Sequence, residues 1–402
     1  MAPKHSLKIA GLPAATIFSI VLVSGCGGGG GDSAPPIQPL AYTGNTEPAT
    51  VTVENTPTLM ANVLFGGASA ADIPSGATTS ENTLLPGNLV TSAALLQEVF
   101  HFSMDDIVGT VTNGFAIPAS AAVNETVQCE LGFYTVQGTI DDMTGTGTLT
   151  FNYSNCLDDG VTMNGIMSIH VHHLDYFRFN ATMDMLLIRI SCSEFDVSMS
   201  GTMGIDETLS GNSLTQTNTM NYVEQDNNTR KMYRYENYVM TFYVNDIFSS
   251  LSSGYISYTG APVAVIYDSV HGSLTVDTIE SLSFSSVLLS YPDESGTLLF
   301  SGNNSGIQLS ILSERHVRLE LDIDGIAGYE ITRYALWNEL EDPAGLNLAD
   351  TDGDGMHDSW ETSFGLDLAL DDSAGNLDGD TLTNIEEYQQ GYDPSNPFSP
   401  LP

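Results

Sequence analysis

The stretch that decides the fold is VTMNGIMSIHVHH, which runs from Val161 to His173. Apolar and polar residues alternate along it, so an extended chain turns the two kinds of side chain to opposite faces. One face carries Val161, Met163, Met167, Ile169 and Val171, and the other carries Thr162, Asn164, Ser168, His170 and His172. The pattern predicts a β-strand with one buried face and one wetter face.

Alternation of this kind continues in both directions, from Gln128 to about Leu340. It recurs from Phe177 to Met185 and from His316 to Ile323. Turn-forming residues separate such runs at 157–160, 302–306 and 324–325. Because short turns place consecutive strands side by side, we predict a mainly β fold, a large antiparallel meander of about a dozen strands. A curved sheet, a barrel-like sheet and a sandwich all fit this pattern.

The segment that precedes the strands has apolar residues at helical spacing. This spacing occurs from Pro57 to Leu64 and from Asn88 to Ile107, and each run is long enough for a short helix. We therefore predict a β-rich body over residues 51–340 that begins with short helices.

The N-terminus has the features of an export signal. Lys4 and Lys8 precede an apolar run from Ile9 to Val23, which is too short to remain as a membrane span. The next residues complete VSGC, which resembles the lipobox of bacterial lipoproteins. That resemblance implies a signal peptide of residues 1–25, acylation of Cys26 and, with glycine next, delivery to the outer membrane. We expect an exported protein that a lipid anchors in the outer membrane or at the surface of a Gram-negative bacterium.

The segment after Cys26 is rich in glycine and proline and has no apolar periodicity, so residues 26–50 are predicted to be a flexible tether. Export exposes the other cysteines to an oxidising compartment. If residues 132–140 and 146–154 form a hairpin, Cys129 and Cys156 meet at its open end, and we predict a disulfide between them. The partner of Cys192 stays open.

The charge of the chain is strongly negative, with 50 acidic and 10 basic residues and a net charge of −40. Such a chain repels phosphate backbones and anionic headgroups, which excludes nucleic acid as a partner and electrostatic docking to a membrane. Cationic partners are favoured, and calcium is the first candidate. Residues 341–402 hold 15 of the acids and no lysine or arginine.

Two stretches of this acidic segment have the spacing of twelve-residue calcium loops. The first loop is DTDGDGMHDSWE, from Asp350 to Glu361, and the second loop is NLDGDTLTNIEE, from Asn376 to Glu387. Calcium takes six to eight oxygen ligands, which alternate residues of a tight loop supply together with a final bidentate glutamate. The predicted ligands of the first loop are Asp350, Asp352, Asp354, the Met356 carbonyl, Asp358 through water, and Glu361. Those of the second loop are Asn376, Asp378, Asp380, the Leu382 carbonyl, Asn384 through water, and Glu387.

The two loops are predicted to differ in affinity. Thr381 stands in the second loop where Gly355 allows the bend of the first, and asparagine replaces aspartate at the first and ninth positions. Fewer charges and a stiffer bend predict weaker binding by the second loop.

A short helical stretch follows each loop, at 359–364 and 383–390, and no long amphipathic helix precedes either one. This arrangement resembles the thrombospondin type 3 repeats of bacterial surface proteins over about 50 residues, and more distantly the dockerin module. The resemblance implies a calcium-binding module at 341–402 in which the ion takes the place of a core. The β-rich body resembles uncharacterised bacterial lipoproteins with a calcium-repeat tail, which implies no activity.

Two further groups of residues each allow two interpretations. His170, His172 and His173 suit either a transition metal or a wet strand face. Arg230, Lys231 and Arg234 suit either a partner contact or ion pairs with nearby acids. The chain contains no Gly-x-Ser-x-Gly, no His-Glu-x-x-His, no phosphate loop and no dinucleotide fingerprint.

The sequence therefore favours a calcium-binding surface lipoprotein with a structural, binding or adhesive role and no catalysis. Its body would bind an unidentified surface protein or polysaccharide. The alternative is a secreted hydrolase or lipid-handling β-protein with a calcium-stabilised accessory or docking module.

Overall fold

The computed structural model describes residues 38–64 and 121–398. Short loop gaps within that range are 142–143, 145, 159, 175–176, 193–195, 247–248, 250–251, 261–262, 287–290 and 342–343. The predicted signal peptide, Cys26 and the helix predicted between Asn88 and Ile107 lie outside the described residues.

Fifteen strands in the described part of the chain form one antiparallel sheet. They are β1 (Ala121–Gln128), β2 (Leu131–Ile140), β3 (Gly147–Asp158), β4 (Val161–Leu174), β5 (Arg178–Ser191), β6 (Asp196–Ser210), β7 (Ser213–Asp226), β8 (Met232–Val244), β9 (Gly254–Thr259), β10 (Ala264–Asp268), β11 (Gly272–Phe284), β12 (Ser295–Ser301), β13 (Gly306–Ile311), β14 (His316–Asp322) and β15 (Ile331–Leu336).

Each strand pairs with its neighbours in the sequence, with one variation in the middle of the sheet. There β9 and β10 share the place between β8 and β11. β10 pairs with β8 over Tyr233–Glu236, and β9 pairs with it over Val239–Val244. The prediction of a mainly β antiparallel meander is confirmed, and a curved sheet and a sandwich are both compatible with this strand order.

The alternating pattern of β4 becomes one buried face, because Met163, Met167, Ile169 and Val171 are all at most 5% exposed. Removal of each such side chain from water contributes roughly 1.5–3 kcal/mol. The prediction was wrong at two run ends. Phe177 and Ile323 lie just outside β5 and β14 and are exposed, because the chain is already turning there.

The segment before the sheet packs along it. Backbone hydrogen bonds join Asn45 to Ser269 and Ala49 to Ser273, and Ala49 is wholly buried. Residues 40–50 were predicted to belong to the flexible tether, and that prediction was wrong, because they are bound to strand ends far away in sequence. Helix α1 (Thr56–Leu64) follows and is buried along nearly its whole length, as predicted from the spacing after Pro57.

The disulfide joins Cys129 to Cys156 at the open end of the β2–β3 hairpin, as predicted, with 5.3 Å between the Cα atoms. The bridge closes a loop with a sequence separation of 27 residues. In the chain-entropy model a loop of this length stabilises the fold by about 3.5 kcal/mol.

Three short helices follow the sheet: α2 (Trp337–Glu341), α3 (Asp358–Phe364) and α4 (Asn384–Gln390). Trp337 and Leu340 of α2 are wholly buried and belong to the core of the sheet. Helices α3 and α4 match the two predicted helical stretches. Both end at a glycine in the left-handed region, Gly365 with φ 75° and Gly391 with φ 72°, which is the usual stop for a helix.

Candidate metal centre

The two predicted loops have the same backbone plan, although their sequences differ. At the first position an Oδ1 atom accepts the amide of the fourth residue, with 2.8 Å from Gly353 to Asp350 and 2.6 Å from Gly379 to Asn376. Both glycines have φ of 80°, a conformation that a Cβ would strain.

The sixth position separates the two loops, as the sequence predicted. Gly355 has φ of 99°, whereas Thr381 does not adopt a positive φ. The second loop therefore turns without the left-handed residue that the first loop uses at this point.

The ninth residues close the loops by accepting hydrogen bonds. Asp358 accepts from the amide and hydroxyl of Thr351, at 2.9 Å each, and Asn384 accepts from the amide of Leu377 at 3.1 Å. Asp358 is not among the acidic residues of the groups that could hold a metal ion. The sequence predicts that both residues bind the ion through water. In the structure each accepts a hydrogen bond from the second residue of its own loop.

Carboxylates of the first loop converge on one place. Asp350, Asp352 and Asp354 form one group with ligand atoms within 4.8 Å of one another, and Asp354 forms a second with Glu361 and Asp372. Glu361 is wholly buried, and neither of its carboxylate oxygens has a hydrogen-bond partner. Buried oxygens without partners are costly, so this arrangement suits a bound cation.

Sequence reasoning missed Asp372. It lies between the two loops, eleven residues beyond the glutamate that ends the first, so the spacing of a twelve-residue motif gives no sign of it. Its Oδ1 is buried without a hydrogen-bond partner, and its carboxylate belongs to the same group as Glu361. The only sequence signal is the acidic pair formed with Asp371, which is common in so acidic a segment.

The second loop brings together fewer charges. Asp378, Asp380 and Glu387 form its group. Glu387 is 1% exposed, and its Oε2 and the Oδ2 of Asp378 are buried without hydrogen-bond partners. The first position is Asn376, which adds a neutral amide oxygen where the first loop has a carboxylate.

The electrostatics of both sites also indicate a cation. Burial, reinforced by Asp354 and Asp352, raises the pKa of Glu361 to about 7. Burial together with Asp378 and Asp380 raises the pKa of Glu387 to about 7 as well. Ionised carboxylates are therefore disfavoured here by themselves, and a divalent cation reverses that balance.

The two loops and their helices lie against the last strand of the sheet. The Tyr334 amide of β15 donates to the Tyr388 hydroxyl at 2.9 Å. Its carbonyl lies 2.9 Å from Nε2 of His357. Since Nδ1 of His357 accepts from the Trp360 amide, Nε2 carries the proton and donates to the carbonyl. Arg333 extends the contact to the first loop and pairs with Asp350 at 3.2 Å.

An aromatic cluster forms the apolar part of the contact between β15 and the two loops with their helices. The Tyr388 ring is buried against those of Tyr334, His357 and Trp360, with centroid distances of 5.3, 5.4 and 5.1 Å. Burial lowers the pKa of His357 to about 4, so its ring is neutral at pH 7. Tyr388 and His357 thus pair with the outward backbone groups of Tyr334 on β15, which would otherwise be unpaired.

The weaker constellations take ordinary structural roles. His170 lies 2.9 Å from Asp184 and 3.0 Å from Thr148 across neighbouring strands. None of the three predicted histidines belongs to a metal-competent group within the described ranges. Arg234 pairs with Glu236 at 2.5 Å and lies over the Tyr267 ring, which fits ion pairing.

A fourth acidic group, Asp322, Asp324 and Glu330, lies at the β14–β15 turn. Its carboxylates accept backbone amides, including that of Gly325 at 2.7 Å, and two of its three members are exposed. It has the features of the hairpin turn that the sequence predicted.

Comparison of the chain with protein-family models, curated proteins and solved structures found no match. In the described ranges no helix has both the length and the apolar character needed to cross a membrane. The geometry of the two loops is therefore the main indication of function.

Proposed function

We propose that this chain is an exported, lipid-anchored calcium-binding protein with a structural or binding role and no catalysis. Two calcium ions would fold residues 344–398, which we call the C-terminal module, and hold it against β15. The observation that carries the proposal is Glu361, wholly buried and without a hydrogen-bond partner at either carboxylate oxygen.

The donor set favours calcium over other metals. All acidic ligands at both loops are oxygen donors, and the first site offers carboxylates from five residues, Asp350, Asp352, Asp354, Glu361 and Asp372. Zinc and copper prefer nitrogen and sulfur, and magnesium demands a tight octahedron with retained water. A site with many carboxylate oxygens and a terminal glutamate suits the larger, less directional calcium ion.

The two sites would bind with unequal strength. Two groups that share Asp354 hold five carboxylates at the first loop, and one group of three, Asp378, Asp380 and Glu387, lies at the second. Affinity for calcium rises with the charge of the ligand set. The first site is therefore the tighter one, although Arg333 beside Asp350 offsets part of its charge.

The test is calorimetric titration of the purified chain with calcium. We expect about two ions per chain for the natural sequence. Glu361→Gln should weaken the first site by roughly 10-fold or more, because it removes the bidentate charged ligand. The matched control is Glu386→Gln, the same change at an exposed glutamate of the same module. The proposal fails if the natural chain does not bind calcium, or if E361Q binds it as tightly as E386Q does.

The structural role follows from where the module sits. β15 is the last strand of the sheet order, and the outward amide and carbonyl of Tyr334 bond to Tyr388 and His357 of the module. An uncovered edge strand is a template for pairing with another chain. We propose that calcium keeps this edge covered, so that the body can present its surface to a protein or polysaccharide partner without associating through β15.

The lipid anchor is proposed from the sequence alone, from the VSGC motif that ends at Cys26. A single acyl signal gives weak attachment, whereas two or more chains hold a protein stably. Expression of Cys26→Ser in a Gram-negative host should move the protein from the membrane fraction to the soluble exported fraction. Replacement of Cys192 by serine is the control and should leave the fractionation unchanged. Membrane recovery of C26S equal to that of the natural chain would contradict the anchor.

A further inference from the structure

We propose that Asp372 is a ligand of the first calcium site that the second repeat holds in place, so that the two sites bind calcium with positive coupling. This inference depends on the proposed function, since it concerns the same two sites. It adds a ligand from outside either loop and a physical connection between them.

Asp372 lies beside two acidic ligands of the first loop. One oxygen of its carboxylate belongs to the group with Asp354 and Glu361, where the ligand atoms are within 4.8 Å of one another. Its Oδ1 is buried without a hydrogen-bond partner, whereas its Oδ2 accepts from the amide of Asp367 at 3.2 Å. Glu361 is wholly buried, and neither of its oxygens has a partner. Carboxylates this close to one another repel unless a cation lies among them.

The second repeat holds the backbone of Asp372. Its carbonyl accepts from the side chain of Asn384 at 2.9 Å and from the amide of Gly375 at 2.7 Å. Asn384 also accepts from Leu377 within the second loop. The ninth residue of the second loop therefore holds both its own loop and the residue that supplies a ligand to the first site.

The same place before the first loop holds no acid. The amides of Ser359 and Ile385 donate to the carbonyls of Asn347 and Ser373, which makes these two residues equivalent. The counterpart of Asp372 is therefore Leu346. The first repeat thus has no acid in the corresponding place. Only the second repeat supplies a carboxylate to the calcium site of the other repeat.

A second contact between the repeats supports the same connection. Ile385 of α4 lies beside the bend of the first loop, where a Cβ placed on Gly355 would be 3.5 Å from its Cδ1 atom. Glu387, the terminal ligand of the second site, is two residues further along the same helix. Calcium at the second site would order α4 and, through Asn384 and Ile385, both Asp372 and the bend of the first loop.

Single-site variants make the proposal measurable. Glu387→Gln removes the terminal ligand of the second site, and Glu361→Gln removes that of the first. We measure the association constant that remains in each by calorimetric titration of the full chain with calcium. Coupling predicts that the two-site constant of the natural chain exceeds the product of the two single-site constants by about 5-fold or more. A product equal to the two-site constant would overturn the coupling.

The ligand role has a test of its own in the natural chain, where calcium at the second site holds Asp372. Asp372→Asn should weaken the first site by roughly 10-fold or more, whereas Asp371→Asn should change it less than about 2-fold. Asp371 is the matched control because it is the adjacent aspartate, is exposed and loses the same charge. Equal effects of D372N and D371N would overturn the ligand role.

The number of calcium ions bound by D372N and calcium binding by the natural chain distinguish the remaining outcomes. Loss of one whole ion in D372N, with the other affinities intact, would show a separate ion at Asp372 and overturn the shared site. Absence of any calcium binding by the natural chain would instead refute the proposed function. Circular dichroism of D372N at saturating calcium should match the natural chain, because asparagine keeps the backbone contacts.

Discussion

Removal of calcium is expected to unfold the C-terminal module and to leave the sheet folded. The module has few apolar residues of its own. Met356, Trp360 and Tyr388 form its small buried cluster, and Leu346 and Leu348 pack into the core of the sheet. Its two clusters of carboxylates repel one another when no cation lies between them. The body has a continuous apolar core and the Cys129–Cys156 disulfide, neither of which needs a metal ion.

The magnitude follows from mass action. Free calcium at about 1,000 times the dissociation constant stabilises a folded state by roughly 4 kcal/mol for each site. Two sites therefore contribute more free energy than the small apolar cluster of the module. A chelator should lower the thermal midpoint of the module by tens of degrees, since a shift of about 4–8 °C accompanies each 1 kcal/mol in a small domain.

The two tryptophans give a direct measurement. Trp360 is in the module and 3% exposed, and Trp337 is in the body and 0% exposed. A chelator should shift only part of the fluorescence to longer wavelength, and limited proteolysis should begin within residues 350–387. Magnesium at the same concentration serves as the control and should restore little. Unchanged fluorescence and protease resistance after chelation would contradict the prediction.

The sequence predicts the fold well where the structure depends on residues that are close together in the chain. Alternation in stretches such as Val161–Val171 needs only one buried face, and the structure confirms the strands. The same reasoning predicted too long a tether, because amino-acid composition carries no information about the hydrogen bonds of residues 40–50 with Ser269 and Ser273. Those bonds join positions more than 200 residues apart, which no local pattern can show.

The candidate site, too, could be predicted where its residues belong to a local pattern and not where they come from distant parts of the chain. The fixed spacing of a twelve-residue loop indicates Asp350, Asp354 and Glu361, and the structure brings their carboxylates into adjoining groups. Asp372 comes from outside the spacing, and Arg333 comes from a strand of the body. Both reach the site only after the chain has folded, so tertiary packing and not a motif determines them.

Tyr388→Ala is expected to detach the module from the sheet even when calcium is saturating. The Tyr388 side chain is 1% exposed and contacts the rings of Tyr334, His357 and Trp360. Loss of a buried aromatic ring costs about 3–5 kcal/mol because it removes apolar burial and leaves a cavity. The missing hydroxyl adds roughly 1 kcal/mol, since the Tyr334 amide loses its acceptor.

Two further variants separate the ring from the hydroxyl and from the rest of the surface. Tyr388→Phe keeps the ring and should lose only the hydroxyl contribution of about 1 kcal/mol. Phe398→Ala removes an aromatic ring that is 93% exposed and should change stability by less than about 0.5 kcal/mol. The measurement is denaturant unfolding followed through Trp360 fluorescence, with calcium held at a fixed saturating concentration in all samples.

The order of effects among these variants decides how the module is held. If the aromatic cluster joins the module to β15, Y388A unfolds at a much lower denaturant concentration than Y388F, and Y388F lies close to F398A. The detached edge strand should then pair between chains, so Y388A should also form dimers or larger species as its concentration rises. Equal midpoints for Y388A and F398A would mean that calcium alone holds the module in place. In that case the contacts of Tyr334 with His357 and Tyr388 would contribute little to stability, and the covering of β15 would follow from metal binding without needing the cluster.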